Sequence, residues 1–108
     1  MRLLLDESVP ATLRRHLSDH EVRTAVEKGW SGVKNGRLLA LAGQRFDALI
    51  TVNKNMPSQQ SLSTLPVALV VLDTLSNELR SLLPLLPELE RVLAAVQPKT
   101  CAVVKGTV

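Results

Sequence analysis

At 108 residues, 45% of them hydrophobic, the chain has the size and composition of one folded domain rather than a disordered segment. Its net charge is +3, and the excess lies in residues 1–54, where nine Lys/Arg face six Asp/Glu. That bias is compatible with a nucleic-acid partner. The lone Cys101 excludes an internal disulfide, and two aromatics, Trp30 and Phe46, argue against RNA modules that stack bases on aromatic side chains. No apolar run reaches the ~18 residues of a membrane span, and nothing resembles a secretory leader. The expectation is a cytoplasmic protein with no membrane association.

In chain order, residues 2–6 read as a buried strand, short, apolar and bounded by charge. Pro10 suits a first helical position, and Val9, Leu13 and Leu17 recur at helical spacing, so a helix of about ten residues is expected to follow. Its other face carries Arg14, Arg15 and His16; with His20, the last of these makes a histidine pair that no cysteine or acid trio completes as a zinc site. Glu21 to Val26 reads as the second strand. Gly29-Trp30-Ser31-Gly32 is a loop, with Trp30 a packing anchor. Asn35 and Gly36 open a second helix carrying Leu38, Leu39, Leu41, Ala42 and Phe46.

Ala48 to Val52 is the third strand, and residues 53–66 form a long polar loop of the kind that is often functional. Val67 to Leu72 is the fourth strand. Pro84 and Pro87 predict a short turn followed by a helix from about 84 to 96, whose face is Leu82, Leu86, Leu89, Leu93 and Val96. Ala102 to Lys105 is the last strand. Alternating strands and helices imply a three-layer α/β/α sandwich with a central, mainly parallel sheet of four to five strands.

In such a sheet ligands bind outside the carboxyl ends of the strands. Three apolar runs end there on polar residues: Asp6-Glu7, Asn53 and Asp73. Carboxylates gathered this way hold hard cations, which can activate water against a phosphodiester. Side chains alternate along a strand, so Asp6 and Glu7 do not share a face; Asp6, ending the run, is the candidate metal ligand. Asp73 precedes Thr74, Ser76 and Asn77 and reads as a helix cap. Asp47 lies at the opposite edge and reads as structural. Lys54, Asn55, Gln59 and Gln60 are candidate contacts to phosphate or sugar.

The string Leu4-Leu5-Asp6-Glu7-Ser8-Val9-Pro10 resembles the opening of small stand-alone bacterial PIN-like proteins. Those begin with a strand, then Asp-Glu-Asn, a small step and Pro. Gly29-Trp30 with Gly32, Asn35-Gly36, Phe46-Asp47, Thr51-Val52 and Gln59-Gln60 match in the same order, so the resemblance spans nearly the whole chain. It implies a single PIN-like domain over residues 1–108. It further implies a ribonuclease dependent on Mg²⁺ or Mn²⁺, the toxin of a toxin–antitoxin pair, with RNA as substrate, an antitoxin protein as partner and a homodimer as the assembly.

The site residues carried over are Asp6 as metal ligand, with Glu7 and Asn53 beside it as catalytic candidates. The family's further acids fall here at Arg37, Asn53 and Asn55, so the resemblance implies a degenerate metal site. Arg37 is a cation in the first turn of a helix, where the macrodipole favours an acid, and it suits a phosphate better than a metal. Two rival readings remain. One is a non-catalytic PIN-like module that binds RNA or protein. The other is a receiver-like signalling domain, whose phospho-acceptor would fall at Asn53.

Overall fold

Five short segments become five parallel strands of one sheet in the computed structural model, which describes residues 1–105 and, within them, all but the Leu62 side chain. They are β1 (Arg2–Leu5), β2 (Glu21–Thr24), β3 (Ala48–Thr51), β4 (Ala68–Asp73) and β5 (Cys101–Lys105), ordered β2-β1-β3-β4-β5. The helices are α1 (Asn35–Arg45), α2 (Leu79–Leu82) and α3 (Leu86–Ala95). None of them is long and apolar enough to cross a membrane.

The central strands β1, β3 and β4 are apolar on both faces because both faces are covered. On one, Leu3, Leu5, Ile50, Val70, Leu72 and Val104 pack against Leu13, Leu17, Leu82, Leu85, Leu89 and Leu93. On the other, Leu4, Leu49, Leu69 and Val71 pack against Leu38, Leu39 and Ala42 of α1, with Met56 and Leu65 from the β3–β4 loop. Trp30 and Phe46 join this second core edge-to-face, 6.4 Å between ring centres. The three layers are therefore those the sequence predicts.

Local differences have local causes. The helix expected after Pro10 is a six-residue 3-10 helix, Ala11–His16. A 3-10 turn rises ~2.0 Å per residue against ~1.5 Å for an α-helix, so it carries a short connection back along the sheet with fewer residues. Its Leu13 and the flanking Val9 and Leu17 are buried as the spacing requires. The second strand stops at Thr24 and not at Val26. Glu27 folds back, accepting from Thr24 N (2.7 Å) and donating its own N–H to Thr24 Oγ1 (3.1 Å). The 53–66 loop contains two 3-10 turns, Pro57–Gln59 and Leu62–Thr64. Helix begins at Leu79, earlier than expected; Pro84 and Pro87 sit in first-turn positions, where their missing N–H costs nothing.

The connections differ in hand. The β1–β2 link covers the Leu13 face, whereas β2–β3 and β3–β4 step the opposite way across the sheet and cover the α1 face. These three share one hand. The β4–β5 link also steps away from β1, yet α2 and α3 lie on the Leu13 face, so its hand is opposite. Parallel crossovers are right-handed in ~98% of cases, so this chain carries one of the exceptions.

Candidate functional site

The strand order reverses between β1 and β3, because β2 lies on one side of β1 and β3 on the other. That switch point is where open α/β sheets form a crevice at the carboxyl edge. Asp6 sits in it. Its N–H continues the ladder to Ile50 O (3.1 Å), and only 5% of the residue is exposed.

The carboxylate is enclosed by hydroxyls. Oδ1 accepts from Ser8 Oγ and from Ser8 N (3.1 Å), and Oδ2 accepts from Thr51 Oγ1 (2.6 Å). Ser8 Oγ also accepts from Val52 N (3.3 Å), and Thr51 Oγ1 from Asn53 N (3.0 Å). Asp6 thus ties the end of β1 to the end of β3. Burial pushes its carboxyl above the ordinary carboxylate value, against the lowering pull of the Ser8 and Thr51 hydrogen bonds.

The other strand-end residues do not converge on it. Glu7 is exposed and turns to the β2–α1 loop, where Oε2 accepts from Ser31 Oγ (3.0 Å) and Oε1 from Gly32 N (3.2 Å). Asn53 Oδ1 accepts from Asn55 N (3.0 Å), closing a turn of its own loop. Asp73 is not a helix cap. It ends β4 and pairs with Lys54 Nζ at 3.1 Å, while α2 begins with no side-chain cap. A lysine in the loop that follows the neighbouring strand β3 outcompetes the local turn, which Thr74, Ser76 and Asn77 close among themselves and onto Ser8 O. Asp47, at the opposite edge, is structural as expected: it accepts from Arg2 N at 2.7 Å, which lowers its carboxyl below the usual value.

The histidines do not form a zinc pair. His20 Nε2 meets Glu90 Oε1 at 2.8 Å, and His16 is exposed. Among the described residues no group of three His, Cys, Asp or Glu is placed to hold a metal. The residues of the crevice do not fit a resident Mg²⁺ or Mn²⁺. The one buried carboxylate has both oxygens engaged by hydroxyls, and the neighbouring acids are turned away or neutralised by lysine.

A second feature of the same edge is basic. α1 starts without a side-chain cap and with no acid in its first turn. Lys34, Asn35, Gly36 and Arg37 line a groove of about 640 Å³ with Gln59 and Gln60 opposite. Asn35 Nδ2 donates to Gln59 Oε1 across it (3.4 Å), and Arg37 is exposed. Free N–H groups and the positive end of a helix dipole favour anions. Of the expected nucleic-acid contacts, Arg37 and Gln59 share this groove, whereas Lys54 is paired with Asp73 and Asn55 serves the β3–β4 loop.

Three participants were not among the candidate site residues. Ser8 and Thr51 hold Asp6, and Lys34 joins the groove. The available signal for Thr51 was a hydroxyl inside an apolar run; it is fully buried. No protein-family model, curated protein or solved structure matches the chain.

Proposed function

We propose that the chain is a small PIN-like protein whose metal site has degenerated and which binds RNA, or a nucleic acid like it, without cutting it. The supporting observation is the reversal of charge at the carboxyl edge. One buried, hydroxyl-bound carboxylate remains there, while Lys34 and Arg37 surround an uncapped helix start beside Gln59 and Gln60. Such an edge attracts phosphate oxygens. The glutamines and Asn35 supply neutral donors and acceptors for sugar or base edges. In this reading Asp6 is a positioning residue that fixes the two loops flanking the crevice. A toxin–antitoxin role, with an antitoxin protein as partner, follows from the resemblance at Asp6 to Pro10 and belongs to the same proposal.

The receiver-like alternative shares the strand order 2-1-3-4-5. Two observations count against it: Asn53 stands at the acceptor position, and the β4–β5 crossover has the opposite hand to the other links.

The test is anisotropy with a labelled single-stranded RNA, with and without EDTA. Binding is expected to survive chelation and to weaken with salt, each lost phosphate contact reducing the log–log slope by about 0.7. Arg37→Glu should weaken it about tenfold, a cost of about 1.4 kcal/mol. Chelator-sensitive cleavage that Asp6→Ala abolishes would overturn the non-catalytic reading. An absence of binding at low salt would overturn the RNA reading itself.

A further inference from the structure

A second basic groove lies at the far end of α1, on the amino edge of the sheet. Val22 of β2 belongs to the Leu13 face, so its neighbours Glu21 and Arg23 point to the opposite face, where α1 lies. The core under α1 draws on β1, β3 and β4 and takes no residue of β2. The space left between β2 and the end of α1 is a groove of about 340 Å³, lined by Arg2, Glu21, Arg23, Lys28, Arg45 and Phe46. Arg2 and Arg23 are in exposed ion pairs, with Asp47 at 3.5 Å and Glu21 at 3.7 Å. Such pairs contribute little and leave both cations open to another anion. Lys28 and Arg45 are in no ion pair among the described residues, and Lys28 Nζ lies 5.6 Å from the centre of the Trp30 ring.

α1 joins this groove to the one at its start. Arg37, Leu41 and Arg45 follow one another at intervals of four and share one face of the helix. Eight residues at ~1.5 Å each set Arg37 and Arg45 ~12 Å apart along the axis, and α1 contains no acid. The stripe made by the two grooves and this face holds Lys34, Arg37, Arg45, Lys28, Arg23 and Arg2 against Glu21 and Asp47. The rest of the chain has seven cations against eight acids, so the net positive charge of the protein belongs to this stripe.

We infer that a single strand of RNA runs along the stripe, with phosphates held at both ends of α1. The inference rests on the proposed RNA binding and adds the path: from the carboxyl edge of the sheet to its amino edge, along the β2 side of α1. A lone phosphate needs one groove only. Two grooves joined by a helix face without an acid fit a polymer that repeats its charge. Trp30 and Phe46 are packed edge-to-face on each other, so the strand is gripped by its backbone and the stripe has little sequence preference.

Anisotropy in EDTA with RNA strands of about 4 and about 12 nucleotides tests the path. The variant carrying Lys28→Gln and Arg45→Gln should bind the longer strand at least about tenfold more weakly at about 0.1 M salt, and its log–log salt slope should fall by about 1.4, for two phosphate contacts. The shorter strand occupies one groove at a time, so the same variant should weaken it by no more than about twofold. Arg80→Gln removes an exposed cation from the opposite layer and should change neither. Circular dichroism should be that of the wild type in both variants. A longer strand bound by the double variant with unchanged affinity and slope would overturn the inference, as would an equal loss in Arg80→Gln, and either result leaves the proposed RNA binding standing. A wild type that binds neither strand at low salt overturns both.

Discussion

Asp6 is a carboxylate kept in a place that suits its neutral form. Because burial raises its folded-state value above the ordinary 3.8, the folded chain holds that proton more tightly than the unfolded one. The contribution to stability is then fully present below the unfolded value and is lost as pH rises through the folded one. Asp6→Asn should remove this dependence. The amide can still accept from Ser8 and can donate to Thr51, so urea titrations from pH 4 to 7 should show the variant equal to or above the wild type at the neutral end. Asp6→Ala instead strands two hydroxyls, one of them fully buried, and should cost about 1–3 kcal/mol at any pH in the same titration. Asp6 was legible in the sequence because it ends an apolar run. Its partner Thr51 was not, since it lies 45 positions away and only the β1–β3 pairing brings the two together. Asp73 was misread for the same reason. The Thr-Leu-Ser-Asn sequence after it has the composition of a cap, and the competing Lys54 belongs to another strand's loop.

At the scale of elements, α1 is seated by Gly43. A Cβ there would meet Pro66 O at 2.7 Å and Pro66 Cβ at 3.0 Å, atoms of a constrained backbone that cannot swing aside. Alanine gains up to ~1 kcal/mol in helix propensity, but the clash pushes the helix off the sheet. Gly43→Ala should therefore destabilise by about 1–3 kcal/mol in chemical denaturation. The start of the same helix is tuned the other way. Replacing Arg37 by Glu puts an acid in the first turn and should stabilise the fold by ~0.3–1 kcal/mol even as RNA affinity falls. A thermal melt measured beside the binding curve would show the two moving in opposite directions, and a melt lowered by the change would contradict the assignment. The existence of the five strands was legible, β1, β3 and β4 from their apolar runs, whereas their order in the sheet was not. The 3-10 form of the first crossover was not: the spacing of Val9, Leu13 and Leu17 is α-helical, and only Leu13 of the three lies within the helix, Ala11–His16. Nor was the end of β2, which depends on one Glu27 side chain.

For the whole molecule, two cores share one sheet, and every central strand contributes to both. The halves cannot come apart without exposing the strands between them. Unfolding followed by Trp30 fluorescence, which reports the α1 core, should coincide with unfolding followed by circular dichroism; separated midpoints would show the layers to be independent. The parallel sandwich was legible from alternating elements. The hand of the last crossover was not, since apolar strands covered on both faces carry no mark of which helix covers which face. That crossover has a consequence for the chain as it is made. Residues 1–73 supply four strands and the α1 layer, but the opposite face, with Leu3, Leu5, Ile50, Val70 and Leu72, receives α2 and α3 only from residues 79–95. A nascent chain halted at β4 would carry a bare leucine-rich sheet face, covered only by the short Leu13 turn. It is at this stage of synthesis that the protein would need a chaperone.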